Sequence, residues 1–179
     1  MLNTMRWRHY LLFIISFVVP KLIGIAYILF FWFYNEPPLE SFIIFMIVSI
    51  PIVTYLLWLS DIVFRLEKVT TQYNIRTNNI TNLFLAALIL AVAGLSFLTI
   101  FVIFDTNCHS DSLATGFAFI LPCLMLCTLQ AAHMLNIAEN RRWISVEHSL
   151  PDFVLMLFFP VGVWILQPRI NQLALKQLD

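Results

Sequence analysis

A chain of 179 residues with 61% hydrophobic side chains and only 11% charged ones, ten of each sign, cannot coat a water-facing surface, because soluble domains carry roughly 25% charged residues. Together with a mean hydropathy of +0.88, this excludes a soluble enzyme, a disordered chain and a strongly basic nucleic-acid-binding protein. A polytopic membrane protein is the class that remains.

A spanning helix needs about 20 mostly apolar residues. The first such run, 10–34, is broken by a single charge, Lys21, just after Pro20. It is too long and too aromatic for a cleavable signal, so it reads as a retained helix. The second, 41–60, is free of charge and bracketed by Glu40 and Asp61. The third, 83–104, ends at Asp105, and the fourth, 113–137, lies between Asp111 and Glu139. A fifth stretch, 153–166, is short for a span and fits a tilted, re-entrant or interfacial helix equally well. All these runs are apolar on every side rather than alternating, which favours helices over barrel strands. The expected fold is an all-α polytopic membrane helix bundle, one integral domain over 1–179. It has four transmembrane helices and a short fifth, C-terminal hydrophobic helix at 152–167.

The charges orient the bundle. Arg6 and Arg8 precede the first run, Arg65, Lys68 and Arg76 follow the second, and Arg141 and Arg142 follow the fourth. The other two connections hold Glu36, Glu40, Asp105 and Asp111 and no base. Bases on one side alone place the N-terminus in the cytoplasm. Arg169 and Lys176 follow this rule only if the fifth stretch re-enters or lies flat rather than spans. Both outer connections are tight, and Pro37-Pro38 stops helix continuation in the first. The inner connections, 66–81 and 138–152, are longer, and the former is expected to prolong the second helix before turning. Trp7, Trp32, Trp58, Trp143 and Trp164 fall near the expected helix ends, as an interfacial aromatic belt does.

Pro20, Pro51, Pro122 and Pro160 lie inside hydrophobic stretches, where each removes a helix hydrogen bond and tends to bend the helix. The third helix has none. Its small residues, Ala87, Ala91 and Gly94 above all, permit close helix contact and place it in the bundle interior or at an oligomer interface. Lys21 is an intramembrane charge, and thus either a snorkelling side chain or part of a buried pair or polar cavity. Asp61 and Arg65, four apart, form an ordinary helix-surface pair.

Chemistry is sparse. Cys123 and Cys127 stand four apart, but no further ligands converge on them to complete a metal site. His9, His109, His133 and His148 show no nucleophile–base spacing, and no phosphate loop, dinucleotide fingerprint or hydrolase elbow occurs. The expectation is a protein that is not an enzyme, with no cofactor, no metal and no direct nucleic-acid binding. Arg65, Lys68, Arg76, Arg141, Arg142 and Trp143 instead form a basic inner collar. It suits either anionic lipid or a soluble protein partner, since Trp and Arg are enriched at binding hot spots.

The ending FFPVGVWILQPRIN, residues 158–171, is the most distinctive segment. Pro160 and Gly162 are expected to break its helix and Pro168 to stop it. With four preceding spans in a short chain, it resembles the small bacterial membrane proteins of phage-defence loci, the membrane subunits of the Kiwa system in particular. Accessory proteins beside RNA-targeting CRISPR effectors are also similar. The resemblance implies an inner-membrane homo-oligomer that senses phage-induced disturbance and is tied to a cytoplasmic, DNA-binding partner. Two readings stand side by side: a sensor and scaffold that docks a cytoplasmic effector through its basic inner loops, and a pore-forming or channel-like effector.

Overall fold

The computed structural model describes residues 14, 18–34, 40–104 and 110–175. Expectations for Arg6, Trp7, Arg8, His9, Glu36, the Pro37-Pro38 connection, Asp105, His109 and Lys176 lie outside the described residues, as do the side chains of Trp32 and Pro160. The described residues are helical with short turns and contain no strand. In chain order the helices are α1 (Val19–Tyr34), α2 (Glu40–Gln72), α3 (Asn78–Phe104), α4 (Ser110–Asn140), α5 (Leu150–Leu157) and α6 (Phe159–Leu175), with a 3-10 turn at Val146–Ser149 before α5. Among the described residues, three segments are long and apolar enough to cross a membrane: Ser49–Gln72, Asn78–Leu98 and Ala118–Asn140.

Local chemistry explains the boundaries. The second helix runs on through Asp61, Arg65, Glu67 and Lys68 to Gln72, as the polar segment after it suggested. It ends where Asn74 adopts a left-handed φ of 57°. The amide of Ile75 then donates to the Thr70 carbonyl and that of Asn74 to the Thr71 carbonyl, each at 3.1 Å. This paired closure satisfies carbonyls the helix would otherwise leave open, and Asn tolerates the left-handed position. α3 follows at once. The carbonyl of Thr77 takes the amides of Ile80 and Thr81, while its hydroxyl, 3.1 Å from that of Thr70, ties the two helix ends together. Pro51 and Pro122 lie inside continuous helices.

The chain divides into two compact units. In the first, 1–55 with 92–119, Gly24 of α1 faces Ile47 of α2, where a Cβ would stand 3.5 Å from the Ile47 methyl. Lys21 is exposed in the first turn of α1, and no carboxylate pairs with it among the described residues.

The second unit is 56–91 with 120–179, and most of the buried apolar side chains among the described residues lie in it. Leu59, Ile62 and Leu66 of α2, Phe84, Ala87 and Ala91 of α3, and Ala131, Met134, Leu135 and Ala138 of α4 are fully or almost fully buried. Their spacing of three and four gives each helix one inward stripe. Cys127 is also buried, its thiol 4.0 Å from the Phe84 carbonyl, so it serves as a small residue where α4 crosses α3. The outward residues Leu57, Phe64, Leu83, Ile89, Leu90 and Leu121 are apolar and exposed, the inverse of a soluble surface.

The small residues of α3 divide between its faces, and two expectations elsewhere change. Ala87 and Ala91 are buried, Gly94 is half-buried, and Ala86, Ala93 and Ser96 are exposed. Trp58 is not part of an aromatic belt, because it is 2% exposed and its indole is used inside the unit. The segment 152–167 is two helices rather than one. The interruption falls at Phe158, with φ −82° and ψ 59°, and the helix then continues through Pro168 to Leu175. Pro168 fails to stop it because α6 is held by contacts on both sides of that residue, described next.

Candidate functional site

The polar side chains of the second unit gather where α2 and α4 end. Asp152 stands in the first turn of α5, where a carboxylate is favoured by the helix dipole, and is almost completely buried. Arg169 of α6 reaches it at 2.7 Å through Nη1. The same guanidinium forks onto Glu139 of α4, with Nε at 2.8 Å and Nη2 at 2.6 Å from the two carboxylate oxygens. Asn136, one turn earlier in α4, donates its amide to Asp152 Oδ2 at 2.8 Å. One guanidinium thus spans two acids on two helices, a planar, two-pronged geometry that lysine cannot reproduce. Hydrogen bonding to Glu139, partly opposed by burial, raises the already high pKa of Arg169, so the cation is permanent.

This clamp folds the chain back. Seventeen residues of unbroken helix would separate positions 152 and 169 by about 25 Å, yet their side chains form an ion pair. At the turn, the amides of Val161 and Gly162 both donate to the Phe158 carbonyl, at 2.9 and 2.8 Å. Gly162 is buried, and a Cβ there would overlap the Leu155 carbonyl oxygen and stand 2.9 Å from its carbonyl carbon. Only glycine allows the two helices to approach this closely. Met156 of α5 and Val163, Leu166 and Ile170 of α6 are buried. On α6, Gln167 accepts a hydrogen bond from the Trp58 indole at 3.2 Å and donates to Asn171.

The connection after α4 is fastened as well. Arg141, the first residue after α4, ends that helix in a left-handed conformation, φ 51°, which costs a non-glycine residue roughly 1 kcal/mol. Its guanidinium lies 4.7 Å from the centroid of the Tyr73 ring, a cation–π contact that joins the connection after α4 to the one after α2. Trp143 turns its ring edge to His133, centroids 5.7 Å apart, while remaining 58% exposed. His133 Nδ1 is 3.3 Å from the Ser149 hydroxyl. Both residues are buried, so this histidine–serine contact pins the turn before α5 onto α4 and presents no open nucleophile.

The six residues of the expected collar are therefore sorted. Arg65 is held by Asp61 at 2.7 Å, as their spacing suggested, and is half-buried. Arg141 is committed to Tyr73. Lys68, Arg76, Arg142 and Trp143 are exposed, and the Tyr73–Arg141 contact draws both connections to one end of the unit. Cys123 and Cys127 carry free thiols, and among the described residues no group of three His, Cys, Asp or Glu is placed to hold a metal ion. The spacing rules had not singled out Glu139, Asp152 and Asn136 for a role. The one available signal was Arg169, whose charge broke the inside-positive pattern unless the segment turned back.

No family model, curated protein or solved structure matches this chain.

Proposed function

We propose that the chain is an oligomeric inner-membrane sensor and scaffold subunit of an anti-phage defence complex, docking a cytoplasmic, DNA-binding partner through its basic inner connections. The observation that carries this reading is the Arg141–Tyr73 contact. It brings the connections after α2 and α4 together, with Arg76, Arg142 and Trp143 exposed around it. An exposed tryptophan flanked by guanidinium groups is the composition of a binding hot spot. Arg141 is held there in a backbone conformation that favours glycine, and such local strain is retained where a side chain must be presented in one place. Charges rather than catalytic groups dominate this face. The resemblance of the C-terminal segment to phage-defence membrane subunits supplies the biological setting.

Reversing both charges, Arg141→Glu with Arg142→Glu, is expected to abolish co-purification of the cytoplasmic partner from detergent and to remove protection against phage, while the protein still reaches the membrane and keeps its oligomeric size. Full retention of every partner by this variant would sink the docking face.

The same reading has four spans, 10–34, 41–60, 83–104 and 113–137, with the N-terminus in the cytoplasm. The C-terminal segment then returns to the side on which it started. Single cysteines replacing Lys68, Arg142 and Gln172 are expected to react with a membrane-impermeant maleimide in inverted vesicles and to stay protected in intact spheroplasts. Labelling of position 172 from the opposite side to position 142 would overturn the topology.

A further inference from the structure

The apolar turn between α5 and α6 is the feature that the docking reading leaves unused. Its base carries the charges Asp152 and Arg169, locked to Glu139 one residue before the end of α4. Its tip carries none: Leu157, Phe158, Val161 and Ile165 are 39%, 64%, 54% and 45% exposed. The direction of the tip within the hairpin follows from the antiparallel arms: α5 and α6 approach most closely at Leu155 and Gly162, and the charges close the opposite end. Gln167 of α6 also meets Trp58, fourteen residues, or about 21 Å of helix, before the end of α2, so α6 lies beside the apolar part of that helix. The tip is therefore the end of the hairpin remote from Glu139 and the end of α4. From Asp152 to Phe158 the shorter arm rises about 9 Å, within the roughly 15 Å depth of one leaflet of hydrocarbon.

We propose that α5 and α6 form a re-entrant hairpin whose tip, Leu157, Phe158, Val161 and Ile165, contacts the acyl chains of the cytoplasmic leaflet. The proposal rests on the membrane-sensor reading and gives it a physical input. Non-strand backbone at this depth is permitted because both arms are helical and the turn amides are satisfied by the Phe158 carbonyl. The occupant is lipid rather than water because the exposed residues of the tip are large and apolar and the charges of the hairpin are confined to its base. Through the clamp, displacement of the tip by altered lipid packing moves the Asp152 end of α5. Between that end and the Arg141–Trp143 face lie only the residues of one short connection.

The test uses the full chain with Cys108, Cys123 and Cys127 replaced by alanine, an environment-sensitive fluorophore on Phe158→Cys or, separately, Val161→Cys, and reconstitution into phosphatidylcholine–phosphatidylglycerol vesicles. Lipid contact predicts blue-shifted emission that is quenched several-fold more by doxyl groups deep in the acyl chain than by iodide. A fluorophore on Gln172→Cys at the base should show the opposite preference. Iodide quenching at both tip positions overturns the proposal in favour of a water-exposed turn. Absence of quenching by either agent overturns it in favour of a second copy of the chain covering the tip. Neither outcome depends on a cytoplasmic partner, so failure here is distinguishable from failure of the docking face.

Discussion

Replacing Arg169 by leucine is expected to destabilise the second unit by about 2–4 kcal/mol. This is below the 3–5 kcal/mol typical of breaking a fully buried pair, because Arg169 and Glu139 are partly exposed. The loss arises less from the contacts removed than from what they leave behind. Asp152 is 6% exposed, and its remaining donor is the amide of Asn136, one neutral hydrogen bond for a full negative charge. Thermal unfolding in detergent is expected to shift down by roughly 4–16 °C, at 2–4 °C per kcal/mol for a chain of this size. Arg169→Lys keeps the charge but cannot fork onto two carboxylates, so its shift should be intermediate. Neutralising the whole cluster, Glu139→Gln with Asp152→Asn and Arg169→Met, should restore stability beyond Arg169→Leu alone, since no buried charge is then stranded. If Arg169→Leu unfolds at the wild-type temperature, the clamp does not hold the hairpin.

The second large effect is expected at Gly162. Alanine is a better helix former than glycine by about 1 kcal/mol, so propensity alone predicts that Gly162→Ala stabilises α6. Packing predicts the reverse. The added methyl would meet backbone, the Leu155 carbonyl, which cannot rotate away as a side chain can. α5 and α6 must separate, at a cost of about 3 kcal/mol, and Met156 and Val163, buried at their junction, lose contact together. Limited proteolysis is the direct measurement: cleavage around 157–161 should accelerate at least tenfold in Gly162→Ala while cleavage after Gln72 stays unchanged. A slower rate would mean that propensity wins and that the close approach is not essential.

Helical class and the membrane character were legible because they depend on composition and on the length of apolar runs, which no tertiary contact alters. The extension of α2 to Gln72 was legible too, since a polar segment without glycine or proline continues a helix until a residue such as Asn74 accepts the left-handed turn. The Asp61–Arg65 pair followed from helical spacing alone. The rest depended on partners distant in sequence. Pro160, Gly162 and Pro168 look alike as helix breakers, yet the interruption falls at Phe158. Pro168 is carried inside α6 because Gln167 and Arg169 on either side of it are anchored to Trp58 and Glu139. Trp58 read as an interfacial anchor from its place in the run, and only its hydrogen bond to Gln167, 109 residues away, makes it a core residue. Likewise, nothing local to His133 or Ser149 foretells that they meet. The weak inner–outer asymmetry of α3 has another cause: its small residues surround the helix, so spacing could not decide which of them face the chain's own core.

The single guanidinium of the clamp has a consequence for how the chain is made. Synthesis runs from the N-terminus, so Glu139 and Asp152 enter the membrane region before the cation that neutralises them, and Arg169 arrives seventeen residues after Asp152. Until then the newly inserted helices carry two acids with only Asn136 to answer them, and the hairpin has no reason to turn. Arg169 therefore acts as a latch closed late in synthesis: Asp152 and Glu139 gain their shared cation only once α6 has been made.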